Sequence, residues 1–129
     1  MSRTALTLGA LYGMIAVALG AFGAHGLAAR VPAERLVTWG TAADYLGLHA
    51  LALLLCGVLL ALRPGGRLLA LSAWCFALGS LVFSGSLFVL VLSGVGWWGA
   101  VTPFGGVALI AGWGFLSVGA WIAFAPPRD

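Results

Sequence analysis

The chain has 129 residues, of which 63% are hydrophobic and only 7% charged, and its six basic residues outnumber three acidic ones for a net charge of +3. A small water-soluble domain of that balance would expose large apolar patches, and six scattered arginines without a lysine make no nucleic-acid footprint. The composition is that of an integral membrane protein, folded as a single domain over residues 1–129.

Crossing about 30 Å of hydrocarbon takes about 20 apolar residues at about 1.5 Å each. The first stretch that long covers 4–23. Arg3 ahead of it and Ala21-Phe22-Gly23-Ala24 at its end give it the outline of a secretory signal, but with Met1 in place it is expected to stay as a helix. The connection that follows holds Arg30, Glu34, Arg35 and Asp44, and its apolar residues Val31, Leu36, Val37 and Trp39 recur near helical spacing. This predicts a short interfacial helix starting at Pro32.

The second span is expected at 45–62 and ends in the tight turn Arg63-Pro64-Gly65-Gly66-Arg67. The third covers 68–92. The fourth, 103–124, opens on Thr102-Pro103, an N-cap followed by proline at the first helical position, and is stopped by Pro126 and Pro127. Cys56 and Cys75 fall inside apolar runs and so suggest no disulfide framework. The fold class is therefore all-α, a four-transmembrane-helix bundle with a short interfacial helix between the first and second spans.

Arg3, Arg63, Arg67 and Arg128 lie on one side of such a bundle, and only Arg30 and Arg35 on the other. The positive-inside rule then expects both termini in the cytoplasm, with Trp39, Trp97 and Trp98 as an aromatic belt on the outer face. The two halves share neither loop length nor motif, which removes support from an inverted-repeat transporter.

Small residues four apart, as in Cys75/Gly79, Ser80/Ser84 and Ala108/Gly112, let helix backbones approach closely, and packing between helices or between copies is the expected use. Gly105-Gly106 bares the first-turn N–H groups of the fourth helix. Those donors suit an anion or lipid headgroup, and close crossing against the third helix is the competing use.

The polar residues point to one corner. Tyr45, His49, Ala52 and Cys56 share a stripe on the second helix, with His49 about 8 Å below Asp44 by the helical rise. On the antiparallel third helix, Ser84 and Ser86 lie about 12 and 9 Å from the same end. The two serines point to opposite faces, and each can satisfy itself on a carbonyl one turn back. Asp44, at an offset of five, faces away from His49. His25 marks the rim, as a cap on the first helix's last carbonyls or as a site residue.

Several motifs in order resemble one family: Gly20-Ala21-Phe22-Gly23-Ala24-His25-Gly26, Trp39-Gly40-Thr41-Ala42, Tyr45-x-x-x-His49-Ala50-Leu51, Phe83-Ser84-Gly85-Ser86-Leu87, Thr102-Pro103-Phe104-Gly105-Gly106 and Gly112-Trp113. The chain is similar, over nearly its whole length, to the YgdD-like small inner-membrane proteins of bacteria, a domain of unknown function with a eukaryotic transmembrane relative. The resemblance implies a four-helix protein of the bacterial inner membrane with no established activity, substrate or cofactor. Its hallmark positions fall on His25, Tyr45, His49, Ser84, Gly85, Ser86, Thr102, Pro103, Gly105 and Gly106. Where many such proteins carry a tyrosine after the serine motif, this chain has Phe88.

The leading expectation is a non-enzymatic membrane protein that binds a small ligand or lipid in an outer-leaflet polar pocket, or supports a membrane assembly. The pocket would be formed by His25, Tyr45, His49, Ser84, Ser86, Thr102, Gly105 and Gly106, with no catalytic residue, metal or cofactor. Its partners would be membrane lipids and, beyond them, a second copy or another membrane protein. A small oligomeric transporter or channel is the alternative, although the deep half of the bundle offers no charge. A metal or haem redox protein built on the two histidines is the third, and two ligands without a third make a poor site.

Overall fold

The computed structural model describes residues 1–126; Pro127 and Arg128, on which a helix stop and a topology marker rest, lie outside them. Every regular element among the described residues is helical. The order is α1 (Ser2–Phe22) running into a π-helical turn (Gly23–Leu27), α2 (Ala33–Leu62), α3 (Arg67–Ser93), a 3-10 turn (Gly96–Ala100) and α4 (Thr102–Ala123). All four long helices are long and apolar enough to cross a membrane.

The expected interfacial helix is not a separate element. Pro32 caps α2, which continues unbroken to Leu62 and so starts twelve residues before the expected second span. The reason lies in one stripe: Leu36, Trp39, Ala43 and Leu46 keep a helical period, and Trp39, Ala43 and Leu46 are buried, so tertiary packing holds this segment in line with the span. Trp39 consequently is no belt residue. It is 2% exposed, packs between Phe22 and Phe88, and donates its indole N–H to the Leu19 carbonyl at 2.7 Å. Just beyond Leu19 the first helix widens into its π turn, where Gly23 leaves room for the indole that a Cβ would fill. Trp97 and Trp98 do sit in the α3–α4 connection, edge to face.

α2 and α3 form the central antiparallel pair, with α1 packed on α2 and α4 on α3. The α3–α4 seam follows a step of seven. Leu69, Phe76 and Phe83 on α3 face Gly119, Gly112 and Gly105 on α4, while Leu109 of α4 faces Gly79 of α3. Each large side chain seats where a glycine brings the opposing backbone close, the form of helix packing that suits a medium in which apolar side chains gain nothing by leaving lipid. At Gly105 a Cβ would overlap the Phe83 backbone. Of the small residues expected to pack helices, Gly79 and Gly112 do so in this seam.

Polar side chains add ties between helices. Tyr12 donates to the Ala77 carbonyl at 3.0 Å, joining α1 to α3. Ser72 donates to the Gly112 carbonyl at 2.8 Å and lies 3.4 Å from the Cys56 thiol, a chain that crosses α2, α3 and α4. The α3 helix ends on Gly94 in the left-handed conformation, with φ 72°, and the Arg35 guanidinium lies against that end, where the helix dipole is negative.

Candidate functional site

His49 is a buried histidine in the middle of α2. It is 3% exposed, and both ring nitrogens are engaged: Nδ1 lies 2.8 Å from the Tyr45 carbonyl one turn back, and Nε2 lies 3.2 Å from the indole nitrogen of Trp113. A carbonyl can only accept and an indole N–H can only donate. The network therefore assigns a neutral imidazole, protonated on Nδ1, whose Nε2 is an acceptor.

Aromatic rings surround this pair. Phe76 packs against both His49 and Trp113, at centroid distances of 5.6 and 5.1 Å, and Tyr45 stacks on Phe83 at 4.6 Å. Phe76 and Phe83 are the two α3 side chains seated on Gly112 and Gly105, so the glycine seam that docks α4 also sets the rings around His49. Close by, the Ser86 hydroxyl contacts Thr102 Oγ1 at 2.8 Å and the Phe83 carbonyl at 3.0 Å. Each hydroxyl has one proton: when Thr102 donates to Ser86, Ser86 donates to Phe83, and when Thr102 donates to the Trp98 carbonyl at 3.3 Å, Ser86 donates to Thr102. That tie fixes the first turn of α4 on α3.

Because α2 and α4 flank α3 without packing closely on each other, a lateral groove of about 440 Å³ opens between them. Tyr45, Leu48 and His49 of α2 form one wall; Gly106, Leu109, Ile110 and Trp113 of α4 form the other; Phe83 of α3 is the floor. The groove starts one turn into α4 at Gly106 and ends at Trp113, eleven residues from Thr102 and ten from Ala123. It is thus about 10 Å long by the helical rise and reaches the middle of α4. His49 lies deeper than a count from Asp44 gives, because α2 has no break at Asp44.

Of the eight expected site residues, Tyr45, His49 and Gly106 line this groove. Gly105, Ser86 and Thr102 lie behind it, holding α4 against α3. The other two are elsewhere. Ser84 faces the opposite flank of α3, toward Tyr12 and Leu46, and its hydroxyl has no partner among the described residues, so it does not satisfy itself one turn back; Ser86 does so through the carbonyl three residues back. His25 is exposed in the π turn, shares no hydrogen bond or ring contact with His49, and caps no carbonyl among the described residues. Asp44 lies on the other side of α2, beside Gly20, Gly23 and Trp39. Among the described residues no three His, Cys, Asp or Glu side chains come together as a metal-holding group.

Trp113 is the residue that the sequence leaves out of the site. Its signal is helical spacing from Gly106: Gly106, Leu109 or Ile110, and Trp113 fall on one face, and a mid-span indole N–H needs an acceptor.

The family model described as "Protein of unknown function (DUF423)" matches residues 19–106. The chain is 39% identical over 115 residues to the UPF0382 membrane protein YwdK of Bacillus subtilis, covering 89% of this chain and 94% of that one. It is 41% identical over 125 residues to the UPF0382 inner membrane protein YgdD of Escherichia coli, covering 92% and 90%. Against the UPF0382 membrane protein SSP2132 of Staphylococcus saprophyticus the identity is 40% over 118 residues, covering 90% and 95%. No solved structure matches.

Proposed function

Because the chain belongs to the DUF423 family of membrane proteins of unknown function, its role is read from its groove, and we propose that this groove binds a lipid-like ligand entering sideways from the bilayer. The observation that supports this is the His49–Trp113 pair at the groove's inner end. Nε2 of His49 is an acceptor in an apolar wall, and the indole that covers it is 43% exposed, so an incoming hydroxyl or N–H can take the indole's place. The ligand's apolar body then lies on Leu48, Phe83, Leu109 and Ile110.

The arginine distribution supports an orientation with both termini in the cytoplasm, which puts the groove in the outer half of the bilayer. Native mass spectrometry of protein extracted from its own membrane tests the reading. A co-purifying lipid of defined mass is expected on the wild type and absent from Gly106→Leu, since a Cβ at Gly106 meets Phe83 only at ordinary contact distance and the larger side chain fills the groove. His49→Phe is expected to weaken retention while leaving expression intact. Equal lipid retention by Gly106→Leu and the wild type sinks the reading.

A further inference from the structure

On the opposite flank of the bundle, α1 packs chiefly on α2 and reaches α3 at Tyr12, leaving a second cleft of about 120 Å³. Two serines stand on its α3 wall, Ser80 and Ser84, each 1% exposed and neither hydroxyl with a hydrogen-bond partner among the described residues. The other polar side chain lining the cleft among the described residues, Tyr12, spends its hydroxyl on the Ala77 carbonyl. The remaining lining is apolar, with Leu46 inside and Ile15 and Leu81 exposed at the mouth.

We propose that this cleft is a second binding site, which takes an apolar, carbonyl-bearing molecule of the bilayer interior of the isoprenoid quinone kind. Two observations select that class. Ser80 and Ser84 are one turn apart on the same face with their hydroxyl oxygens covered, so that when the apolar lining parts their two O–H groups can serve a single acceptor, and a carbonyl oxygen has two lone pairs to take both. Depth comes second. Ser80 stands thirteen residues from each end of α3, at the centre of the span, whereas the ester carbonyls and headgroups of glycerolipids lie about 15 Å away at the interface.

Water is disfavoured because the mouth between Ile15 and Leu81 opens onto hydrocarbon. The site shares no lining residue with the His49 groove and stands independently of it.

Decylubiquinone is the probe, added to purified full-length protein in detergent, with binding read by equilibrium dialysis and by the shift in Tm. The wild type is expected to bind about one quinone per chain and to melt a few degrees higher when loaded. Ser80→Ala/Ser84→Ala is expected to bind about tenfold more weakly, with its unloaded Tm unchanged or raised because two unpartnered buried hydroxyls are gone. Gly85→Leu provides the second arm: a Cβ there meets nothing within 4 Å, so the side chain fills the cleft without strain and binding should be lost. His49→Phe should bind as the wild type does. No binding by the wild type, or equal binding by the double alanine variant or by Gly85→Leu, overturns the site; the hydroxyls then turn onto the Phe76 and Ser80 carbonyls.

Discussion

Trp113 donates its indole N–H to Nε2 of His49 across 3.2 Å, joining α4 to α2, whose backbones scarcely approach one another. The bond is made between side chains 64 residues apart, and it closes the inner end of the groove that His49 lines. Replacing Trp113 by Phe keeps the ring on Phe76 and removes the donor. Cross-helix hydrogen bonds inside membranes are worth about 0.6 kcal/mol on average and up to about 1.7. A double-mutant cycle of Trp113→Phe and His49→Phe, read by reversible unfolding in mixed micelles, should give a coupling energy of about 1 kcal/mol. Strict additivity would show that the contact carries no energy.

The glycine seam predicts a contrast between two alanine substitutions. At Gly105 the new Cβ meets the Phe83 backbone, which cannot swing away as a side-chain tip can, so α4 must move off α3. Gly105→Ala should cost about 1–3 kcal/mol, and the shift of α4 should also loosen the Tyr45–Phe83 stack. At Gly40 a Cβ meets nothing within 4 Å. Gly40→Ala should therefore be neutral or stabilise by up to about 1 kcal/mol through helix propensity. Equal melting of the two variants would remove the seam from the account of stability.

Much of this was legible in the sequence, and the failures share a cause. Four apolar stretches, their turn chemistry and the stripe through Tyr45, His49, Ala52 and Cys56 follow from composition and the 3.6-residue period, which are local properties. Where α2 begins, and which way Trp39 points, depend on what α1 and α3 offer it. A tryptophan near a membrane interface reads as a belt residue until Gly23 and the Leu19 carbonyl are seen to receive it. Likewise His49 showed its need for partners, but the donor lies 64 residues on, and only the register of α3 on α4 brings it there. Two polar residues at matched depth need not meet: Ser84 and His49 lie on opposite flanks of the α2–α3 pair.

The indole of Trp39 is predicted to hold the π turn. Its N–H takes the Leu19 carbonyl at 2.7 Å, and Gly23, which opens the π turn, shares its own N–H between the carbonyls of Leu19 and Gly20. Trp39→Phe leaves the Leu19 carbonyl without its side-chain partner and should destabilise by about 1–2 kcal/mol. The signature is local: amide exchange at Gly23–Leu27 should speed up more than exchange in the middle of α2. A uniform rise across both helices would assign Trp39 a packing role alone.

Arg35 is expected on the outer face, yet its guanidinium lies against Gly94 at the negative end of α3, so its position has a structural reason that is independent of topology. Arg30 then remains as the one exposed arginine of the α1–α2 connection, opposed by Arg3, Arg63 and Arg67 at the other face. Positive charge within a few residues of the spans sets orientation, so alkaline phosphatase fused after Gly96 should be active and a fusion after Pro64 inactive. Arg35→Gln should keep that pattern while lowering stability, because it removes a cation from a helix C-terminus worth about 0.3–1 kcal/mol. Active phosphatase after Pro64 in the wild type would reverse the orientation and move the His49 groove to the cytoplasmic half of the bilayer. Its lining residues and its inner end at Trp113 would be unchanged, and only the leaflet supplying the proposed ligand would differ.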